Sequence, residues 1–252
     1  MKYTKPSRFL PVLLLCVTLL CACSSNDISI VDQNGKSIAV SSAGNDTYTF
    51  KLPGSQNTNI AWDNPFIDVG ETNWFYDAVR YCYENELMRG TTKTTFSPQI
   101  PTSRAMIVST LWRLEGSPEV GRTYFSDVAD TQYYADAVAW AASQEIVSGY
   151  SEDTFCPDQS ITREELAAIL YRYAAYNAWN TSEASFADVT LEDFTDAHTA
   201  SAYAEDALHW AYAQGILNGM EDRLLTPKGE ATRAQVASIL MRICETIASE
   251  VQ

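Results

Sequence analysis

The chain has few of the residues that metal centres and disulfide frameworks require. It contains two histidines and six cysteines among 252 residues, and no Cys-x-x-Cys pair. Structural zinc sites use clustered cysteine and histidine ligands, so the sequence predicts no metal ion and no other cofactor. Three widely spaced cysteines lie in the body of the chain, an odd number that does not indicate a disulfide framework: Cys82, Cys156 and Cys244.

Basic residues are also scarce. The chain has 17 Lys and Arg residues against 32 Asp and Glu residues, and a formal net charge of −15. No run of basic residues occurs after the first ten positions. Phosphate backbones are bound by clusters of Lys and Arg. The composition therefore excludes nucleic acid as an expected partner.

Motifs that carry catalysis are missing as well. The sequence has no G-x-S-x-G, no H-E-x-x-H and no glycine loop of the kind that holds phosphates. Paired carboxylates occur at Glu164-Glu165 and Glu192-Asp193, but helix capping and solvation explain them better than a glycosidase-like pair does. We therefore expect a protein that is not an enzyme.

The first residues have the pattern of an export signal. Three basic residues precede an almost purely apolar run at residues 9–20, which is shorter than the roughly 20 residues that span a bilayer. The following Leu20-Cys21-Ala22-Cys23 resembles a lipoprotein processing site. Residues 1–23 are thus predicted to be a lipoprotein signal peptide, with Cys23 acylated and holding the chain to the membrane. The alternative is an ordinary secretory signal cut near Ala22, and both predict export.

Residues 24–60 differ in sequence pattern from the rest of the chain. Short β-branched segments at 28–31 and 37–40 flank Asn34-Gly35, a pair typical of hairpin turns. Residues 47–52 form a third candidate strand. Two or three short strands cannot bury a core alone. This part is therefore predicted to be a β-stub or linker.

The remaining chain consists of three copies of one pattern, and self-similarity at a fixed period indicates a repeat architecture. The predicted boundaries are 61–120, 121–181 and 182–252, with an insertion near 191–201 that lengthens the third copy. Each copy contains, in order, an F-x-D-V segment, an aromatic residue, a glycine, a proline and an arginine six residues after that proline. These are FIDV, FSDV and FADV at 66–69, 125–128 and 186–189; Trp74, Tyr133 and Tyr203; Gly90, Gly149 and Gly219; Pro98, Pro157 and Pro227; and Arg104, Arg163 and Arg233.

Each copy is predicted to fold as loop, helix, loop, helix. The second helix of every copy has apolar residues at helical spacing, for example Ile107, Leu111 and Leu114 in the first. A hydroxyl residue precedes each of these helices, where it can accept a hydrogen bond from an unpaired backbone N–H: Ser103, Thr162 and Thr232. In the second copy, Glu165 completes a capping-box pattern.

The order of these motifs resembles that of bacterial S-layer homology (SLH) repeats. The matching segments are FIDV, FSDV and FADV, then FSP, FCP and LTP, then SRAM, TREE and TRAQ. The resemblance covers residues 64–248 and implies an all-α, pseudo-threefold trimer of helix–loop–helix repeats. It also implies a non-catalytic anchoring module that binds secondary cell-wall polysaccharide, often bearing acidic pyruvate ketals, through grooves between repeats. Peptidoglycan and an envelope protein are the alternative partners.

The resemblance also implies that Arg104, Arg163 and Arg233 contact the ligand. An arginine in the first turn of a helix gains nothing from the helix dipole, whereas a guanidinium beside free N–H groups forms a carboxylate site. The alternative is an ion pair with an acidic residue of a neighbouring repeat. The three aromatic residues are expected either to stack on sugar rings or to pack in the core. The three glycines are expected to form positive-φ turns and to line the groove.

The copies differ in ways that predict unequal sites. The glutamate of the T-R-A-E pattern occurs only as Glu165, and Met106 and Gln235 replace it in the other copies. We therefore expect the groove of the second copy to bind most tightly, and weak single sites to act together through multivalency.

Overall fold

The computed structural model describes residues 62–250, with side chains to 245, and the backbone of four short strands between residues 30 and 50. The signal segment, Cys23, the Asn34-Gly35 turn and most of the linker lie outside the described residues. The chain divides into two compact units, residues 1–63 and 64–252. Among the described helices, none has the length and apolar content needed to cross a membrane.

The first unit contains two antiparallel strand pairs. Strand β1 (Ile30–Val31) pairs with β2 (Ser37–Ile38), which matches the predicted hairpin. Strand β4 (Thr47–Phe50) pairs with β3 (Val40–Gly44). The sequence did not predict most of β3, because its Val-Ser-Ser-Ala-Gly composition has a single β-branched residue and strand propensity is correspondingly weak.

The described residues of the second unit form six α-helices, two in each copy. Their hydrophobic faces follow the predicted spacing, and the apolar residues of the second helices are buried, including Ile107, Leu170 and Leu240. The all-α fold predicted for this part of the chain is therefore confirmed. The helices are α1 (Tyr76–Glu84), α2 (Arg104–Leu114), α3 (Ala135–Ser143), α4 (Arg163–Tyr176), α5 (Glu205–Ala213) and α6 (Arg233–Glu250).

The copies are interlocked rather than stacked in a row. The first helix of each copy packs against the second helix of the preceding copy, so that α3 contacts α2, α5 contacts α4, and α1 contacts α6. The last of these contacts joins the two ends of the repeat region. The three copies therefore form a closed pseudo-threefold ring in which each core is built from two copies.

A ring of backbone hydrogen bonds lies at the centre of this arrangement. The amide of Thr102 donates to the carbonyl of Ala231, Ala231 donates to Ile161, and Ile161 donates back to Thr102, each at 2.9 Å. Buried amides need such partners. Because each bond joins two copies, the central segments cannot be satisfied in one copy alone.

The proline six residues before each arginine accepts a hydrogen bond from a neighbouring copy through its carbonyl group. The carbonyl of Pro157 accepts from the amide of Ala105 at 3.0 Å, and those of Pro227 and Pro98 accept from Glu164 and Ala234 at 2.9 Å. The amides of the three arginines donate in the same way to Gln159, Gly229 and Ile100. The segment before each second helix therefore caps the N-terminus of another copy's second helix.

Each proline turn is held by an aspartate. Both carboxylate oxygens of Asp68 accept from the amides of Phe96 and Ser97, and those of Asp127 accept from Phe155 and Cys156. The residue before each proline has a positive φ, 59° at Ser97 and 58° at Cys156, a conformation that is unfavourable without support from its surroundings. The aspartate supplies that support.

In the third copy this role belongs to Asp196, not to Asp188 as the sequence pattern indicated. Asp196 accepts from the amides of Leu225 and Thr226 at 2.7 and 2.8 Å, whereas Asp188 is exposed. The third copy of the F-x-D-V segment is therefore Phe194-Thr195-Asp196-Ala197. The third copy does contain extra residues, but they precede Phe194 instead of lying at 191–201. Among them, Phe186 packs against His209 on α5 with ring centroids 6.5 Å apart.

Candidate functional site

The three arginines join each copy to the next. The Nε and Nη2 atoms of Arg104 donate to the carbonyls of Phe155 and Ser148 at 3.1 and 2.9 Å. Arg163 donates in the same way to Leu225 and Asn218, at 2.9 and 2.7 Å. Arg233 closes the ring by donating to the carbonyls of Phe96 and Arg89 of the first copy, at 2.9 and 2.5 Å. All three arginines are buried.

None of the three arginines forms an ion pair with another residue of the range 62–245. Burial lowers the pKa of Arg163 to about 10, so the guanidinium stays charged at neutral pH. One donor of Arg233 remains available to a ligand, because its Nη1 atom has only the sulfur of Met106, at 3.9 Å, beside it. The backbone N–H groups at the first two positions of each second helix donate to carbonyls of a neighbouring copy. Unlike this arginine donor, they are not free for a ligand.

The three aromatic residues are exposed, with 66% of Trp74, 61% of Tyr133 and 55% of Tyr203 accessible. Core packing is therefore excluded as their main role. Trp74 lies beside Arg163 and Gly219, and Tyr133 lies beside Arg233 and Gly90. Each of these two grooves thus takes its arginine, its glycine and its aromatic residue from three different copies.

Gly90 and Gly219 line their grooves, but the three predicted glycines do not adopt the positive φ that we expected. Gly90, Gly149 and Gly219 are absent from the residues of positive φ in the described chain. Space is the reason for glycine here. A Cβ at Gly90 would lie 2.4 Å from the carbonyl oxygen of Thr92 and 2.5 Å from the Phe66 ring, and at Gly219 it would lie 2.2 Å from the Phe194 ring.

The predicted hydroxyl caps are in place. The side chains of Ser103, Thr162 and Thr232 each accept an amide hydrogen bond at 3.3 Å from the residue three positions later. Glu165 completes its capping box, as predicted. Gln235 does the same in the third copy, accepting from the amide of Thr232 at 3.0 Å, so a glutamate is not required for this cap.

A second arginine belongs to each copy and was not singled out from the sequence. Arg113 lines the groove of Arg233, and Arg242 lines the groove of Arg163. Arg172 is the equivalent residue of α4. The signal was an arginine nine residues after each of the three predicted ones, at the same register of every second helix. Two guanidinium groups per groove favour an anionic ligand.

The groove of Arg104 differs from the other two because its own side chains fill it. The guanidinium carbon of Arg104 lies 4.6 Å from the centre of the Tyr150 ring. The Tyr150 hydroxyl donates to Glu165 and accepts from Gln159. Thr91 and Met220 occupy the position of Tyr150 in the other grooves.

Glu165 therefore belongs to the groove of Arg104, because each arginine faces the following copy. A carboxylate repels an anionic ligand. This placement therefore does not favour the expectation that the groove with the glutamate binds an acidic ligand most tightly. Tyr203 is held nearby, donating to Glu164 at 3.1 Å. Burial and the negative charges of Glu164 and Glu165 raise the pKa of Tyr203.

The described residues contain no group of three or more His, Cys, Asp or Glu side chains arranged to hold a metal ion. Both histidines, His198 and His209, line a separate cavity of about 570 Å³ between α5 and the segment before it. The grooves therefore offer hydrogen bonding, cationic charge and aromatic surface, without a metal ligand set.

Comparison with known proteins agrees with the repeat pattern. The family model of the S-layer homology domain matches residues 65–105, 124–167 and 193–237. The third match begins next to Phe194, as the contacts of Asp196 require. An endoglucanase of Bacillus sp. (strain KSM-635) is 33% identical over 77% of this chain and 20% of its own length.

Two further relatives are surface proteins. A cellulosome-anchoring protein of Acetivibrio thermocellus is 27% identical over 60% of this chain and 33% of its own length. A surface-layer 125 kDa protein of Lysinibacillus sphaericus is 28% identical over 68% of this chain and 14% of its own length. The chain thus spans a third or less of each of these relatives. Because the family model recurs three times in the folded unit, the chain belongs to the S-layer homology domain family.

Proposed function

We propose that this protein is a non-catalytic anchoring module of the cell envelope, which binds an acidic secondary wall polysaccharide through grooves between its repeats. The observation that carries the proposal is the composition of the grooves of Arg163 and Arg233. Each combines two arginines, a glycine-lined backbone and an exposed aromatic ring. Guanidinium groups bind carboxylates, and an aromatic face provides an apolar surface for a sugar ring.

The charge of the whole chain supports a local rather than a general attraction for anions. A net charge of −15 repels a polyanion at a distance, whereas each groove is locally cationic. Single sites of this kind bind weakly, and two or more grooves on one polymer raise the overall affinity through effective concentration. The relatives named as a cellulosome-anchoring protein and a surface-layer protein support the same role for this chain.

The enzymes among the relatives do not favour a catalytic role. The endoglucanase matches this chain over 20% of its own length, and an amylopullulanase of Thermoanaerobacterium thermosulfurigenes matches over 11%. The matched part in each contains the repeats. A glycosidase activity carried by the rest of those proteins therefore does not extend to this chain.

The test is co-sedimentation of the purified full-length chain with wall sacculi, before and after acid removal of the secondary polymer. The informative variants are Trp74→Ala and Tyr133→Ala, because both side chains are exposed and their loss leaves the core intact. We expect wild-type binding that disappears on stripping and weakens in each variant. Tyr124→Ala is the matched control, since Tyr124 is 66% exposed and lines neither groove.

Two results would point elsewhere. Binding that survives stripping would identify peptidoglycan as the partner. Binding to neither preparation would contradict the proposal and favour an envelope protein as the partner. Unequal loss in the two variants would rank the grooves.

We also propose that Cys23 carries a lipid that holds the other end of the chain to the membrane, with residues 24–60 as the tether. Leu20-Cys21-Ala22-Cys23 supports this proposal through its resemblance to a lipoprotein processing site. Labelling of cells with a fatty-acid analogue tests it. Wild-type protein should take up label and Cys23→Ala should not, whereas an unlabelled wild type would favour a secretory signal cut near Ala22.

A further inference from the structure

The third copy contains a cavity that is separate from the arginine grooves. It has a volume of about 570 Å³ and lies between α5 and the segment before it. It shares no lining residue with the grooves of Arg163 and Arg233. The volume is within the roughly 300–1,000 Å³ of pockets that bind small molecules. Because the proposed anchoring role does not use this cavity, a second ligand is able to occupy it.

The lining of the cavity has an apolar part and an ionisable part. The apolar side chains are those of Leu191, Phe194, Ala197 and Ala200. The ionisable side chains are those of Glu192, His198, Glu205 and His209. Pockets of this kind bind ligands with an apolar body and use a few polar groups to orient them. The lining therefore favours a ligand with one apolar end and one polar end.

The two carboxylates of the lining have no partner in the described part of the chain. Neither Glu192 nor Glu205 takes part in an ion pair within residues 62–245, and only their backbone atoms form hydrogen bonds there. No lysine or arginine is among the described residues that line the cavity. The nearby Arg223 lies outside the lining and donates to the carbonyl of Asp193 at 2.9 Å. The cavity therefore has negative charge that no side chain of its lining neutralises.

His209 adds a hydrogen-bond acceptor to this lining. Its Nδ1 atom lies 3.1 Å from the backbone carbonyl oxygen of Glu205. Because a carbonyl oxygen only accepts, Nδ1 is the atom that carries the proton, and Nε2 of the neutral imidazole is then an acceptor. The ring of Phe186 lies nearly parallel to the imidazole, at an interplanar angle of 9°. These two contacts fix the orientation of the ring.

The glutamate and the histidine on α5 are specific to the third copy. At the positions of Glu205 and His209, the other first helices have neither a carboxylate nor an imidazole. The residues there are Tyr76 and Arg80 in the first copy and Ala135 and Ala139 in the second. The same repeat fold thus forms twice without this pair. Folding therefore does not account for the presence of these two side chains.

We propose that this cavity is a binding site for an organic cation, namely an ammonium group on an aliphatic chain. The ammonium donates to the carboxylates of Glu192 and Glu205 and to Nε2 of His209, and the aliphatic part lies against Leu191 and Phe194. An ammonium has three donors and no acceptor, which suits a lining of acceptors with negative charge. Charge-assisted hydrogen bonds of this kind are stronger than neutral ones.

The inference does not rest on the proposed function, because the cavity and the grooves of Arg163 and Arg233 have no lining residue in common. The net charge of −15 attracts cations toward the protein. A metal ion suits the site less well, since no three or more His, Cys, Asp or Glu side chains of the described residues are arranged to hold one. The ammonium group is found both in free alkylamines and in lysine side chains, and the experiment distinguishes these sources.

The experiment is a titration of the full-length chain in mild detergent, followed by NMR. The chain has two histidines and both line the cavity, so that without a histidine tag their imidazole C2 protons report on it directly. His198→Gln assigns the two signals. The probes, adjusted to the pH of the sample, are pentylamine, Nα-acetyl-lysine methylamide and the uncharged 1-pentanol. We expect both amines to shift the signals to saturation, and pentanol to bind about tenfold more weakly.

Glu192→Gln with Glu205→Gln removes both charges at nearly constant size. This double variant should bind the amines about tenfold more weakly than the wild type. Asp206→Asn is the matched control, because Asp206 is exposed and follows Glu205 on α5 but does not line the cavity. It should leave the affinity unchanged.

The outcomes separate the sources and can overturn the inference. Binding of the lysine derivative at least as tightly as pentylamine would identify a lysine side chain of a partner as the occupant, and weaker binding would identify a free amine. The inference is wrong if no probe shifts the signals, if pentanol binds as tightly as pentylamine, or if the double variant binds the amines no more weakly than Asp206→Asn does. Co-sedimentation with wall sacculi remains a separate measurement, so failure here leaves the proposed function standing.

Discussion

The hydroxyl of Tyr150 donates a hydrogen bond to the carboxylate of Glu165, and together the two side chains close the groove of Arg104. The other grooves have Thr91 or Met220 in place of the tyrosine, and Met106 or Gln235 in place of the glutamate. Three copies of one fold therefore give two open grooves and one that is occupied by its own residues.

Opening the Arg104 groove should add a binding site. Tyr150→Thr with Glu165→Gln uncovers the guanidinium and removes the opposing charge, and a glutamine preserves the cap because Gln235 serves the third copy in that way. Calorimetric titration with a hexosamine methyl glycoside that carries a pyruvate ketal should show one more site per chain than the wild type. The converse variant, Thr91→Tyr with Met106→Glu, should remove the site of Arg233. An unchanged number of sites in both variants would contradict the assignment of Tyr150 and Glu165 as a closing pair.

The arginines should matter for folding as much as for binding. Arg163→Ala leaves the carbonyls of Leu225 and Asn218 without the donors that they have in the native protein, and unsatisfied buried groups cost about 1–3 kcal/mol each. We expect the free energy of unfolding in urea to fall by about 2–4 kcal/mol. Arg80→Ala is the control, because Arg80 forms only an exposed pair with Glu84, worth about 0.5 kcal/mol. Equal losses in the two variants would show that Arg163 does not join the copies.

The sequence was sufficient to predict the local structure of each copy. Hydrophobic spacing located the second helices, and Ser103, Thr162 and Thr232 cap them as their residue types suggest. These features depend on residues close together in the chain. What lies between copies was not predictable in the same way, because the acceptors of Arg233 are Phe96 and Arg89, at the opposite end of the repeat region.

The incorrect assignment of Asp188 to the third F-x-D-V segment also arose because the deciding contacts join residues that are distant in the chain. Phe186-Ala187-Asp188-Val189 matches the motif by letter, while the segment that performs its role ends in Ala197 instead of valine. The aspartate of this segment accepts hydrogen bonds from the amides of Leu225 and Thr226, which lie in a turn about thirty residues away.

Asp196 should make the fold sensitive to acid. Burial acts to raise its pKa, but hydrogen bonds from the amides of Leu225 and Thr226 outweigh burial and lower the pKa below its usual value. A carboxylate with a lowered native pKa stabilises the fold above its unfolded pKa of about 3.9. That stabilisation is lost as the pH falls through the native pKa.

Asp196→Asn tests this prediction. At pH 7 it should lower the free energy of unfolding by about 1–3 kcal/mol, and the difference from the wild type should shrink as the pH approaches 3. Asp188→Asn is the control and should have no effect at either pH, because Asp188 is exposed. The opposite result for the two residues would restore the motif assignment made from the sequence.

The ends of the first helices offer a route to a more stable protein. The residue just after the cap of each helix has a positive φ, 55° at Glu86, 59° at Glu145 and 65° at Gly215. Glycine adopts this conformation without strain, and helices commonly end on it. Glu86→Gly and Glu145→Gly should each raise the free energy of unfolding by about 0.5–1 kcal/mol, measured by urea denaturation. Gly215→Ala should lower it by a similar amount, and destabilisation by both glutamate variants would mean that contacts of the side chains outweigh the backbone strain.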